Sequence, residues 1–68
     1  MSTPPPWKWM SVELPPDQST VWVVRIGARE PPFLATWYDS NSGFEFTLRS
    51  ITLGVPWMLA LKWRAQNT

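Results

Sequence analysis

Pro56-Trp57-Met58-Leu59-Ala60-Leu61-Lys62-Trp63-Arg64 is the stretch of sequence that decides the predicted fold. Read with a period of two, it places one set of side chains on a common face: Trp57, Leu59, Leu61 and Trp63. The other face then carries Met58, Ala60, Lys62 and Arg64. Because the side chains of a β-strand alternate between its two faces, the pattern predicts a strand with one buried side.

The same stretch also has the composition of a helix. Met, Leu, Ala, Lys and Arg are good helix formers, and Pro56 suits a first helical position. On a helix, however, the apolar residues from 57 to 61 wrap all the way round and leave no polar face before Lys62. We therefore predict a strand, with a C-terminal helix over residues 56–66 as the alternative.

The small size of the chain limits how it can be stabilised. Its 68 residues form one domain at most, and a chain this short buries only about 60% of the surface that it exposes when unfolded. It has no Cys and no His, so it has neither a disulfide nor the usual zinc ligands. We expect no metal and no cofactor. Its six Trp offer large side chains for a core instead.

The remaining segments read as a short arm, one small domain and a tail. Residues 1–6, with Pro4-Pro5-Pro6, predict a flexible extended arm. Residues 7–64 form the predicted β domain, and residues 65–68 a polar tail. Within the domain, residues 7–12 predict a short edge strand that Leu14-Pro15-Pro16 ends, because neither proline can donate to a ladder.

Three further strands are predicted from composition and alternation. Residues 20–26 predict a strand that is apolar on both faces as far as Val24, which favours a central position. Residues 33–38 and 44–49 form a hairpin around a turn at 39–43, in which Asn41 and Gly43 suit positive φ. Residues 50–55 predict a bend or loop. The prediction is an all-β fold, a small antiparallel sheet of about five strands curled into an SH3-like or open barrel.

Charge and hydropathy exclude several functional classes. The net charge is +1 and no basic run exists, which disfavours nucleic-acid and membrane surfaces. The longest apolar stretch, residues 55–61, is far shorter than the about 20 residues that span a bilayer. No secretory signal is visible. We expect a cytoplasmic protein, or one that is made in the cytoplasm and assembled into a larger structure there.

Three motifs resemble a family of short phage and prophage proteins classed only as a domain of unknown function. They are Trp9-Met10-Ser11-Val12 followed by Leu14-Pro15, the strand Val21-Trp22-Val23-Val24, and the closing Pro56-Trp57-Met58-Leu59-Ala60-Leu61. Family members have a His before the closing Trp, where this chain has Pro56, and prolines after the Met, where it has Leu59 and Leu61. The resemblance implies a compact β-rich fold and a phage or prophage origin, and it implies no reaction.

The sequence offers little for catalysis. Without His or Cys, Ser-His and Cys-His nucleophiles cannot be built. Asp39 and Glu45 flank one hairpin turn and are candidates for a two-carboxylate mechanism. A turn residue and a solvated strand residue explain them better, because catalytic carboxylates need a cleft. We predict that the protein is not an enzyme and takes no small-molecule substrate.

The tryptophans divide into a predicted core set and a predicted exposed set. Trp22, Trp37 and Trp57 lie mid-strand and are expected in the core. Three others lie near the ends of the chain beside cations, and with those cations they form the candidate interface: Trp7, Lys8, Trp9, Lys62, Trp63 and Arg64.

Two functions follow from this set. The first is a protein–protein interaction module, binding itself or another chain through an edge strand and the terminal aromatics. The second is a single-stranded nucleic-acid binder in which Trp rings stack on bases and Lys or Arg meets phosphates. The low net charge favours the first.

Overall fold

A single antiparallel sheet of six strands makes up the fold. The computed structural model describes residues 5–27 and 29–66. The strands are β1 (Lys8–Trp9), β2 (Thr20–Arg25), β3 (Phe33–Tyr38), β4 (Gly43–Leu48), β5 (Ile51–Pro56) and β6 (Ala60–Ala65). Single 3-10 turns lie at Asp39–Asn41 and Trp57–Leu59. The predicted all-β class is confirmed, and the sheet stays open instead of closing into a barrel.

The first and last strands of the domain, β1 and β6, are neighbours in the sheet. The strand order runs β1-β6-β2-β3-β4-β5, so the last strand lies between the first and the second. Trp63 of β6 is opposite Lys8 on one side and Val23 on the other. Strand β2 is interior, as its apolar residues on both faces predict. The order leaves β1 and β5 as the two edges of the sheet among the described strands.

One face of the sheet, which we call the core face, carries nearly all of the buried side chains. They are Val21, Val23, Ala35, Trp37, Phe44, Val55, Ala60 and Trp63, joined by Met10 from the segment after β1. Met10 is held there by a backbone hydrogen bond to the Leu61 carbonyl of 3.1 Å. Because a lone sheet has no second layer to cover it, its core face must be covered by its own bending and by such connecting segments.

Two buried indoles fill the centre of this face, and both N–H groups have partners. Trp37 is 1% exposed and donates to the Asp39 carboxylate. Trp63 is 2% exposed and donates to the Glu13 carbonyl at 2.8 Å. Burial of Trp37 is confirmed, whereas the predicted exposure of Trp63 is wrong. Trp63 is buried although it lies near the end of the sequence, because burial of its large apolar ring stabilises the fold.

The closing stretch departs from the strict alternation read in the sequence. Residues 57–59 form a 3-10 turn, and the strand begins only at Ala60. Lys62 is opposite Val24 while Ala60 is opposite Arg25, so Leu61 is an extra residue in a β-bulge. Ala60 and Trp63 therefore share the core face three residues apart. The alternative helix over 56–66 is wrong.

Two of the tryptophans assigned to the core are less buried than predicted. Trp57 is 46% exposed because it sits in the 3-10 turn outside the sheet. Trp22 is partly exposed because its neighbours Val21 and Val23 occupy the core face and leave it on the opposite one, which we call the outer face.

Strand β5 was predicted as a bend or loop, and this is wrong. It pairs with β4 over six residues, from Gly43 opposite Pro56 to Leu48 opposite Ile51. The connection is the two-residue turn Arg49-Ser50, with φ of 52° and 68°. Asn-Gly is the usual sequence for a turn with two positive φ angles, so this turn carries none of the usual signal.

The predicted β3–β4 hairpin is confirmed, but its turn has different chemistry. The residue with positive φ is Ser42, at 49°, and neither Asn41 nor Gly43 adopts that conformation. Gly43 is needed for another reason. A Cβ at this position would lie 2.8 Å from the Val55 carbonyl oxygen of the neighbouring strand.

The predicted arm and tail lie mostly outside the described residues, and two ion pairs lie on the surface. Residues 1–4 of the predicted arm and 67–68 of the predicted tail lie outside the described residues, and β6 extends through Ala65. Both ion pairs are exposed. Lys8 Nζ lies 3.0 Å from the Glu13 carboxylate, and Arg25 Nε donates to the Glu30 carboxylate at 2.9 Å. The pKa of Glu30 is lowered, mainly by a hydrogen bond from its own backbone N–H and then by Arg25. Exposed pairs of this kind contribute little to stability.

The burial of Trp63 predicts how substitutions affect stability. Trp63→Ala should lower the free energy of unfolding by about 3–5 kcal/mol, because it leaves a large cavity. Trp9→Ala is the matched control, since the Trp9 indole is 52% exposed, and it should cost well under half as much. Urea unfolding followed by circular dichroism measures both. If Trp63→Ala does not fold, Trp63→Phe should still fold with a free energy of unfolding below that of the wild type. Equal losses at positions 9 and 63 would contradict the burial of Trp63.

Candidate interface

The outer face groups three indoles with two cations at one side of the sheet. Trp7, Trp9, Trp22, Lys62 and Arg64 form what we call the aromatic–cation face. Trp9 is opposite Lys62, and Trp22 is opposite Arg64. Lys62 and Arg64 flank the buried Trp63 on β6, so strand alternation points them away from the core.

The cations of this face lie against the indole rings. Lys62 Nζ is 5.1 Å from the ring centroid of Trp7 and 5.8 Å from that of Trp9. The Arg64 guanidinium carbon is 4.9 Å from the same Trp7 ring. A cation–π contact at an exposed site contributes about 0.5–1 kcal/mol. These contacts hold the segment before β1 against β6, although β1 itself has only two residues.

The structure brings together four of the six residues predicted as an interface. Trp7, Trp9, Lys62 and Arg64 share the aromatic–cation face. Lys8 and Trp63 instead lie together on the core face, where Lys8 Nζ is 5.2 Å from the Trp63 ring centroid. Trp63 is buried there and offers no surface to a partner.

Trp22 is the member of the aromatic–cation face that the sequence analysis assigned elsewhere. The signal was available in the alternation of Val21-Trp22-Val23-Val24. Because both faces of this strand are apolar, the pattern could not decide which set lies on the core face. The two sets are Val21 with Val23, and Trp22 with Val24.

Strand β5 forms a second candidate surface, which we call the β5 edge. The edge combines the outward backbone groups of residues 51–56 with the exposed side chains of Leu48, Ile51 and Leu53. These side chains are 57%, 61% and 40% exposed. The sequence pattern did not predict this surface, because residues 50–55 were expected to form a bend or loop.

The backbone of β5 offers hydrogen-bonding groups to a further strand. In an antiparallel pair, residues that bond to the neighbour alternate with residues whose N–H and C=O point away. The two-residue turn closes on Leu48 opposite Ile51, which makes this a hydrogen-bonded pair. The outward groups are therefore the N–H and C=O of Thr52 and Gly54, and the C=O of Pro56, which has no N–H. No strand lies beyond them in the part of the chain that the structure describes.

The two edges of the sheet differ in how they are protected. Edges are commonly blocked by short length, charge, proline or a bulge. Strand β1 has two residues, one of them Lys8, and Pro5-Pro6 stand just before it. Strand β5 has six residues, no charge and a regular register with β4, and its one proline is the last residue. Of the two edges among the described strands, the β5 edge is therefore the one that is open to pairing.

The carboxylates considered for catalysis have structural surroundings. Asp39 accepts a hydrogen bond from the Trp37 indole, and its backbone N–H donates to Asp17 at 2.9 Å. A groove of about 660 Å³ beside Trp63 is lined by one acid and one base, Glu13 and Lys8. These two are paired with each other. Among residues 5–27 and 29–66, no three acidic groups are placed to hold a metal.

Comparisons with known proteins identify no relative of this chain. Models of protein families, curated proteins and solved structures give no match to the chain. In the described residues, no helix has the length and apolar character needed to cross a membrane.

The cation–π contacts predict a measurable coupling between β6 and the segment before β1. Lys62→Met keeps the aliphatic stem and removes the charge, and Trp7→Leu removes the ring. A double-mutant cycle on urea unfolding should give a coupling energy of about 0.5–1 kcal/mol. The control cycle pairs Trp7→Leu with Arg49→Met, which lies in the β4–β5 turn at the far edge of the sheet. Its coupling should be near zero; equal couplings in the two cycles would count against the contact.

Proposed function

We propose that the protein is a non-enzymatic protein–protein interaction module that binds by adding a partner strand to the β5 edge. The observation that carries this proposal is a six-residue, uncharged strand at the edge of the sheet with outward backbone groups at Thr52 and Gly54. An edge of this kind is a ready template for pairing with another chain.

Strand addition explains how such an edge gains both affinity and selectivity. Main-chain hydrogen bonds to the added strand supply affinity, and side chains at alternate positions select the partner. Ile51 and Leu53 point to the same face of β5, where they are exposed beside Leu48. A partner strand with apolar residues at alternate positions would cover them.

The distribution of apolar surface supports binding as the role of the domain. Large hydrophobic side chains are exposed both at β5 and at a second site around the 3-10 turn Trp57–Leu59. There, Ile26 is 58%, Trp57 46% and Met58 62% exposed. Surface residues of this size clustered at two places are typical of contact sites between chains. The aromatic–cation face, with Trp7 and Trp9, supplies a further contact for a partner that extends across the sheet.

The biological setting belongs to the same proposal. The resemblance of the three motifs to phage and prophage proteins supports a phage- or prophage-encoded virion component or adaptor that is made in the cytoplasm of the host. Genes for capsid, neck or tail proteins beside this one would support a virion part. Replication or early genes would support a host-directed adaptor.

A single-stranded nucleic-acid binder is the second candidate, and the aromatic–cation face is the observation that favours it. Three indoles and two cations on one face resemble the stacking platforms that hold bases and phosphates. Two facts weigh against it. The net charge is +1, and Lys62 and Arg64 already cover the Trp7 ring, so a base must displace them to stack.

An oligonucleotide titration separates the two candidates. We expect no saturable quenching of Trp fluorescence by oligo-dT at low salt, because few cations are available to neutralise phosphates. Saturable quenching that falls with added salt and is lost in Trp7→Leu, but kept in Trp57→Leu, would favour the nucleic-acid candidate.

A site-specific cross-link tests the proposed function directly. A photoreactive benzoylphenylalanine at position 53 should give discrete protein adducts in the cells that express the protein, because Leu53 lies at the open edge. The same group at Ser40, which is exposed in the turn after β3, is the matched control. Equal adducts at both positions, or no adducts at either, would contradict the proposed function.

A further inference from the structure

We propose that the partner of the β5 edge is a second copy of this chain, paired antiparallel to the first about a two-fold axis through Leu53. This inference rests on the proposed function and names the partner for the same surface. It follows from the positions of the outward backbone groups, which fit a second β5 strand in one register.

The register follows from the residues whose N–H and C=O point outward. With the axis at Leu53, Thr52 lies opposite Gly54 of the second copy, and Gly54 opposite Thr52. Each of these two pairs exchanges both backbone hydrogen bonds. All outward groups of Thr52 and Gly54 are then satisfied.

Neighbouring registers are worse for identifiable reasons. An axis at Gly54 sets Pro56 opposite Thr52, and the proline ring, which has no N–H, leaves the Thr52 carbonyl without a donor. An axis at Thr52 sets Gly54 opposite Ser50, which lies in the turn with φ of 68° and is outside the strand. The axis at Leu53 is the register that pairs all the outward groups of Thr52 and Gly54 and keeps Pro56 out of the new ladder.

The side chains suit the same register. Leu53 meets its own copy at the axis, and Ile51 lies opposite Val55, so the exposed apolar groups of β5 face apolar groups. Thr52 and Gly54 are small on the other face. A Cβ built on Gly54 has no close neighbour beyond the Phe44 carbonyl oxygen at 3.8 Å.

Charge also permits a copy of the chain as the partner. Strand β5 has no charged residue, so no like charges oppose each other across the two-fold axis. The nearest charge in sequence is Arg49, in the turn before β5, and the axis places the two Arg49 residues at opposite ends of the pair. A net charge of +1 on each chain adds little repulsion.

The protection of β1 limits the assembly to two chains. A two-fold pair uses the same edge on both copies and is closed. The other edge of each sheet is β1, which is short and carries Lys8. Because the described strands leave one open edge per copy, pairing through β5 ends in a dimer.

Single cysteines test the register, because the natural chain has none. In Leu53→Cys, the two Cα atoms form a non-hydrogen-bonded pair about 4.5 Å apart, which is within disulfide range. In Ile51→Cys, the two cysteines are offset by four positions, roughly 13 Å, which is too far. Under mild oxidation at micromolar concentration, we expect Cys at 53 to cross-link at least tenfold faster on non-reducing gels.

Exposure alone predicts the opposite order, which makes the comparison decisive. Ile51 is 61% exposed and Leu53 is 40% exposed, so random collisions favour a cysteine at 51. Cross-linking at 51 that is as fast as at 53 would overturn the proposed register.

Light scattering after size exclusion tests the dimer itself. The wild-type chain should elute as a dimer, and Leu53→Lys and Leu53→Glu should each be monomeric because like charges meet at the axis. An equimolar mixture of the two variants should restore the dimer. A wild-type chain that stays monomeric overturns the second copy as partner. In that case, adducts to a different protein from the photoreactive group at 53 leave the proposed function standing, and no adducts there end both.

Discussion

The burial of two indoles inside one bent sheet is the constraint on which the rest of the structure depends. Trp37 and Trp63 provide the large apolar area that so short a chain without Cys or His requires. Each buried ring also brings an N–H group that must find an acceptor. Asp39 and Glu13 supply these acceptors. The turn after β3 and the segment after β1 are therefore fixed by the needs of the core.

A core built on one face leaves the other face and the edges to solvent. With a single sheet, alternate residues of every strand point away from the core. On β6 this places Lys62 and Arg64 outward on either side of Trp63, where they meet the ring of Trp7. The open sheet also ends at β5, whose outward backbone edge has no neighbour among the described strands. The surfaces proposed for binding are thus direct results of how the core is made.

The sequence predicted those parts of the fold that depend on local pattern. Alternation in residues 33–38 and 44–49 was enough for the β3–β4 hairpin, and apolar residues on both faces marked β2 as interior. The same pattern failed at Leu61, because a bulge is set by the pairing with Val24 and Arg25 and leaves no local signal. Strand β5 was missed since Arg49-Ser50 lacks the glycine that usually marks so tight a turn.

The candidate site was predicted only in part, for a related reason. Trp7 and Trp9, like Lys62 and Arg64, are two residues apart, so each pair could be assigned to a common face from sequence alone. Which face is buried depends on the partner strands. That information is absent from any single segment, and it decided the burial of Trp63 and the outward position of Trp22.

The position of β6 between β1 and β2 has a consequence for biosynthesis. Strands β3, β4 and β5 are joined by short turns and pair in sequence order, so they can assemble as they leave the ribosome. Strand β2 must wait for β6, which is synthesised more than thirty residues later, as the pairing of Val23 with Trp63 shows. Until then, one side of Thr-Val-Trp-Val-Val-Arg stays unpaired. A nascent or truncated chain that lacks β6 exposes an aggregation-prone segment of this kind.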